Sequence, residues 1–138
     1  MSAFKQWELK SFASKGMKLT PFVLRDLVPF EAKRLYWITE PEAGCASGQH
    51  CHFVEQEVFV CLAGSAVAVI DKGNGKEDIP VECGQAIYVP NLVWHGFTTF
   101  APGTIILAIS STNYSADRSD YCEDYDTYVA QHRSKIQV

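Results

Sequence analysis

The sequence predicts an all-β sandwich or barrel that ends in a short helix. Short runs rich in β-branched and aromatic residues recur between about residues 33 and 112, and glycine, proline and asparagine turn signals separate them. Apolar and aromatic residues fall at helical spacing only in the tail, 120–136. A chain of 138 residues is long enough to bury one core. One domain spanning 1–138 is therefore expected, with N-terminal edge strands in 4–24, the barrel at about 33–112 and the helical tail at 120–136.

Taken in order, residues 4–12 (FKQWELKSF) read as an edge strand that leads to a turn at Gly16. Lys18–Leu24 reads as a second strand, in which Pro21 requires an edge or a bulge. Leu27, Val28 and Phe30 around Pro29 make an irregular apolar approach. Lys33–Thr39 (KRLYWIT) is a strand with Arg34, Tyr36 and Ile38 on one face and Leu35 and Trp37 on the other. Glu40–Gln49, with Pro41, Gly44 and Gly48, is a loop before the short strand His50–Phe53. Val58–Leu62 is an apolar strand closed by Ala63-Gly64, and Ser65–Asp71 is its hairpin partner. Asn74-Gly75 in Lys72–Lys76 signals another hairpin, leading into the polar strand Glu77–Val81. Gln85–Val89, Gly96–Phe100 and Thr104–Ser111 complete the strands, with Pro90–Trp94 as a loop and Ala101-Pro102-Gly103 as a turn.

A formal net charge of -4 argues against nucleic-acid and membrane-surface roles. The sequence has no apolar run of membrane-spanning length, and its first residues, MSAFKQWELK, are polar, so a cytoplasmic protein is expected. Five cysteines without a CxxC pair read as reduced thiols. Cys61 is expected in the core. Cys51, between two histidines, should face away from them.

The chemistry is concentrated in Gly44–Gly64 and Gly84–His95. His50 and His52 share a strand face because side chains alternate with period two. Glu57 returns to that face if the chain turns around Val54 and Glu55, and His95 lies in the second stretch. Three imidazoles and a carboxylate can bind a divalent transition metal or move protons without one.

The spacing Gly44-x5-His50-x-His52-x4-Glu57-x6-Gly64, followed by Gly84-x5-Pro90-x4-His95, resembles the two motifs of the cupin superfamily, whose fold is a double-stranded β-helix or jelly-roll barrel. Leu92 and Thr99 stand where that pattern has Gly and Asn. Over nearly the whole chain the sequence is similar to the WxcM-like sugar 3,4-ketoisomerases. Lys33–Ile38, Gly48–His52, Cys61–Ser65, Tyr88–Pro90, Trp94-His95, Leu107–Ser111 and Tyr114–Tyr128 carry this resemblance. It implies a dimeric, metal-free isomerase for dTDP-4-keto-6-deoxyglucose, supplying sugars for surface polysaccharides. Ser47 and Phe53 stand where the family pattern has Arg and Lys, which removes two diphosphate contacts. Trp37 replaces a Tyr, and Gln56-Glu57 replaces Glu-Gln, restoring the usual cupin carboxylate.

On this reading His52 is the base, His50 its partner or a second acid–base group, and Tyr36 an oxyanion donor or proton shuttle. Arg34 would contact phosphate or carboxylate. Trp37, Tyr88 and Trp94 would stack on a base or sugar face, with Glu57 and His95 lining the same substrate pocket. No cofactor is expected. The alternative is a metal-dependent cupin enzyme, a dioxygenase or metal isomerase, with His50, His52, Glu57 and His95 as ligands. A non-catalytic small-molecule-binding cupin is a third reading. The tyrosines of 114–128 are expected to pack the tail onto the barrel, and His132 to be a solvated helix residue.

Overall fold

In the computed structural model, which describes residues 3–136, the chain forms β1 (Lys5–Glu8), β2 (Phe12–Ser14), β3 (Met17–Leu19), α1 (Leu24–Leu27), β4 (Arg34–Ile38) and β5 (Ser47–His52). There follow β6 (Glu57–Ala63), β7 (Ser65–Asp71), β8 (Lys76–Glu82), β9 (Gln85–Val89), β10 (Trp94–Thr98), β11 (Ile105–Ser110), β12 (Tyr121–Cys122) and α2 (Tyr125–Gln131). Two five-stranded sheets, in the orders β1-β9-β6-β11-β4 and β12-β5-β10-β7-β8, form a sandwich, and β2-β3 is a separate hairpin.

The core follows from alternation. Phe59 and Cys61 of β6 meet Ala68, Ile70 and Phe97 of the second sheet, while Val58 and Val60 face outward beneath Trp7, Leu9, Phe22 and Phe30. Strand β6 is thus covered on both sides, which is why it reads as a continuous apolar run. Fully burying a side chain such as Phe59 contributes about 1.5–3 kcal/mol. A third cluster joins the tail to the second sheet. It contains Cys51, Trp94, Cys122 and Tyr128, so Cys51 does face away from the histidines. Asp71, fully buried, accepts hydrogen bonds from Tyr125 Oη at 2.7 Å and Arg133 Nη1 at 3.2 Å, which anchors α2.

Several predicted boundaries move. The Lys18–Leu24 strand is cut short, and only Lys18 and Leu19 of it pair, as the end of β3. Lys15 (φ 51) and Gly16 (φ 76) make a tight hairpin turn between β2 and β3, and Pro21 ends pairing before α1. Strand β5 begins at Ser47, inside the expected loop, and β10 begins at Trp94. The tail helix is shorter than 120–136. Asp124 caps it by accepting from Thr127 N at 3.3 Å, while Tyr121 and Cys122 pair with His52 and Cys51 as β12. His132 is the C-cap of α2, and its ring lies 4.9 Å from Phe53 rather than free in solvent.

Two glycines let β5 and β10 approach closely enough to bring their histidines together. A Cβ on Gly48, at φ 78, would lie 2.8 Å from Gly96 Cα, and one on Gly96 would lie 2.5 Å from Ser47 O. The β10–β5 register shifts between His95 and Gly96, which leaves His95 directly opposite His50.

Candidate active site

Four strands deliver the expected cluster. His50 and His52 come from β5, Glu57 from β6, His95 from β10, and Arg34 and Tyr36 from β4. The His50 ring lies 4.7 Å from His52 and 4.9 Å from His95. Glu57 is 1% exposed and forms the hub. Its Oε1 is 3.2 Å from His95 Nε2 and 3.4 Å from His52 Nε2, and its Oε2 accepts the Tyr36 hydroxyl. A cavity of about 220 Å³ opens on the cluster and is lined by Tyr36, Ser47, His50, Phe59 and His95 among others.

A second buried carboxylate, Glu55, stands in the turn between β5 and β6. Its Oε1 accepts Arg34 Nη2 at 2.8 Å, Ser110 Oγ at 2.8 Å and the Thr112 hydroxyl, and its Oε2 is 3.2 Å from His52 Nε2. Asp120 holds this turn by accepting Val54 N at 2.8 Å and Glu55 N at 3.1 Å. Its Oδ2 also lies 3.4 Å from His52 Nδ1, an ionic contact rather than an aligned hydrogen bond. No periodicity in the sequence points to Glu55, which lies in the turn where the alternation of β5 breaks, or to Asp120 and Tyr121 in the helically spaced tail.

These surroundings push the two histidines of β5 in opposite directions. Burial, followed by the neighbouring imidazoles of His95 and His52, lowers His50 to about 3. Burial also opposes charge on His52, but its hydrogen bond to Glu57 and the charges of Glu57, Glu55 and Asp120 prevail and raise it. Burial disfavours a charged Glu57 as well, yet His52 and His95 hold its carboxyl well below the usual range. The Tyr36 phenol is pushed far up by burial and by Glu57.

Three predicted contacts fall elsewhere. Trp37 is 64% exposed on the outer face of β4, opposite Tyr36. Tyr88 is buried on the outer side of its sheet, beside Phe30, and donates to Gln56 Oε1 at 2.6 Å. Trp94 is buried against Tyr125 and Tyr128 of the tail. The strands of Trp37 and Tyr88 are where the sequence puts them, and Trp37 takes the face expected from alternation, away from Tyr36, while Trp94 opens β10 where a loop is expected. Arg34 does point inward, where Glu55 neutralises it.

Donor type and convergence also fit a metal. One ligand atom each from His50, His52, Glu57 and His95 can be chosen so that all lie within 4.8 Å of one another. The same Glu57 oxygens serve as hydrogen-bond hub for His52, His95 and Tyr36, so metal binding would compete with that network.

Known proteins are similar to this chain over nearly its whole length. The family model FdtA (WxcM-like, C-terminal) matches residues 2–133. A TDP-4-oxo-6-deoxy-alpha-D-glucose-3,4-oxoisomerase of Aneurinibacillus thermoaerophilus is 31% identical over 102 residues, which are 73% of this chain and 72% of the relative. QdtA, a sugar 3,4-ketoisomerase of Thermoanaerobacterium thermosaccharolyticum solved with TDP, superposes with a TM-score of 0.84 at 27% identity over 97% of both chains. WlaRA, a TDP-fucose-3,4-ketoisomerase of Campylobacter jejuni, shares the fold with a TM-score of 0.82 at 24% identity, over 97% of this chain and 98% of its own. The jelly-roll sandwich, the His-x-His pair and these matches agree, and the chain belongs to the FdtA (WxcM-like, C-terminal) family.

Proposed function

We propose that this protein is a nucleotide-sugar 3,4-ketoisomerase acting on a TDP-linked 4-keto-6-deoxyhexose. The observation that carries this reading is the split histidine pair. His50 makes no side-chain hydrogen bond among the described residues and burial lowers it to about 3, while His52, 4.7 Å away, lies against three carboxylates that raise it. Titratable neighbours pushed apart in this way divide into base and acid.

His50 removes the C3 proton, the C3–H electron pair forms a C3=C4 bond, and the C4 oxygen takes the negative charge. His52 gives that oxygen a proton. The reverse traffic then removes the proton of the C3 hydroxyl and returns one to C4, leaving the ketone at C3. Negative charge developing beside His50 favours its imidazolium and so strengthens a base that is weak at rest. This assignment exchanges the roles expected from sequence, because Glu55 and Asp120 surround His52 and not His50. Tyr36 orients Glu57 rather than meeting substrate first. No cofactor is needed for these steps. If a divalent transition metal binds, His50, His52, Glu57 and His95 would hold it, and it would supply Lewis-acid stabilisation of an oxyanion.

The test is ¹H NMR of TDP-4-keto-6-deoxyglucose in heavy water, with elemental analysis of the same sample. Loss of the C3 proton signal and appearance of the 3-keto sugar are expected from metal-poor enzyme. Turnover that tracks a stoichiometric metal removed by chelator would refute the metal-free route. His50→Asn and His52→Asn should each fold and lose turnover.

A second copy is proposed to cover the outer face of the first sheet. A groove of about 340 Å³ there is lined by Leu9, Phe22, Leu24, Leu35, Leu62 and Leu107 among others, and Leu35, Leu62 and Trp37 are more than half exposed. Light scattering should give a dimer mass, and Leu35→Glu with Trp37→Glu a monomer. An unchanged mass in that variant would place the interface elsewhere. All five cysteines are free thiols and no helix among the described residues is long and apolar enough to cross a membrane, which supports placing the protein in the cytoplasm.

A further inference from the structure

The site needs a hydrogen-bond donor for the sugar oxygen that gains charge, and the tyrosine on β4 is already engaged. Tyr36 donates to Glu57 Oε2, and turning it toward substrate would leave a buried carboxylate oxygen without its donor. A second tyrosine stands at the histidines. Tyr121 is the register partner of His52 in the β12–β5 pair, so the two side chains share a face of the sheet. Its ring centroid lies 4.5 Å from that of His52 and 4.9 Å from that of His50. The placement is held from three sides. Phe53 N donates to Asp120 O at 3.1 Å, the Asp120 carboxylate accepts Val54 N and Glu55 N, and the Arg118 guanidinium lies 4.0 Å from the ring centroid. No side chain or carbonyl among the described residues takes the Tyr121 hydroxyl.

We propose that Tyr121 is a catalytic residue whose hydroxyl donates a hydrogen bond to the sugar oxygen that carries negative charge in the enediolate. The proton stays on Tyr121 throughout, while proton transfer remains with the histidines. The proposal rests on the isomerase reading. It makes Asp120 a positioning residue, since Asp120 fixes the segment that delivers Tyr121.

Tyr121→Phe keeps the ring and removes only the donor. With TDP-4-keto-6-deoxyglucose as substrate, kcat should fall about 100-fold, as for loss of one oxyanion donor, with KM nearly unchanged. An unchanged kcat, or a rise in KM alone, would overturn the donor role while leaving the isomerase reading standing. A wild-type protein that binds the sugar nucleotide without exchanging its C3 proton would overturn the isomerase reading, and the donor role with it. If Tyr121→Phe does not fold, a fluorinated tyrosine placed at 121 acidifies the phenol without repacking. A kcat insensitive to that change would equally refute the proposal.

Discussion

Arg34 reaches from β4 to place Nη2 2.8 Å from Glu55 Oε1, and this pair lies inside the barrel with side chains 21% and 6% exposed. The cation expected to meet phosphate is therefore matched by a carboxylate of the same chain. Breaking such a pair by removing one partner leaves an uncompensated charge, which costs about 3–5 kcal/mol, whereas replacing both partners with apolar groups is often near neutral. Glu55→Leu alone should destabilise the fold by roughly that amount, and Arg34→Met combined with Glu55→Leu should recover more than half of it. Urea denaturation of the single and double variants measures both. A double variant no more stable than Glu55→Leu would show that the pair is not the source of the loss.

Tyr36 and Glu57 form a second unit, in which the phenol fixes one carboxylate oxygen and leaves the other between His52 and His95. Tyr36→Phe should cost about 1–3 kcal/mol for the carboxylate oxygen left without its donor. Its kcat should fall about 10–100-fold, as expected when an orienting contact is lost, with little change in KM. Thermal denaturation and steady-state kinetics check the two effects. A variant that keeps wild-type kcat would show that Glu57 needs no orienting donor.

How much of this is legible in sequence depends on how local each signal is. Ser65–Asp71 and Gln85–Val89 match β7 and β9 because alternation and turn residues lie within a few positions of each other. The cluster of His50, His52, Glu57 and His95 is legible because its members recur at fixed spacing on strands that face one cavity. Glu55 is harder to read, since the turn between β5 and β6 breaks the alternation that would put it beside Glu57. Tyr121 is harder still. The aromatic spacing of the tail suits a helix, and only the pairing of Tyr121 and Cys122 with a strand some seventy residues earlier overrides it. Trp37 and Tyr88 lie on strands as expected and Trp37 takes the face alternation gives it, but Trp94 opens β10 where a loop is expected, and aromatic character alone does not tell a stacking surface from an outer or packed face.

The Gly96–Ser47 approach gives a prediction about the frame rather than the chemistry. Gly96→Ala puts a methyl 2.5 Å from Ser47 O at the bulge that brings His95 opposite His50. Strand β10 must then move from β5, at a cost of about 1–3 kcal/mol typical of overpacking. Stability and kcat should fall together, and a crystal structure of the variant should show a wider His50–His95 separation. Unchanged stability would mean that the two strands can slide at no cost.

The opposed histidines set the pH dependence. Turnover needs His50 neutral and His52 protonated. His50 stays neutral on acidification towards about pH 3, so it causes no loss of rate between pH 7 and 5. His52 is raised, so the alkaline limb of kcat/KM should lie above its ordinary value of about 6.5. Removing a carboxylate that holds this proton, by Glu55→Gln, should shift that limb to lower pH. Stability follows separate signs. The contribution of His52 is fully present below about pH 6.5 and is lost as pH rises through its folded-state pKa. For His50 the unfolded chain binds the proton more readily, so stability falls as pH drops from about 6.5 towards 3. Glu57 adds a further loss below about pH 4.5, because its carboxylate is favoured in the folded state. Thermal midpoints should therefore peak near neutral pH and decline on both sides. A kcat/KM profile with an alkaline limb at or below pH 6.5, unmoved by Glu55→Gln, would reassign His52 from acid to base.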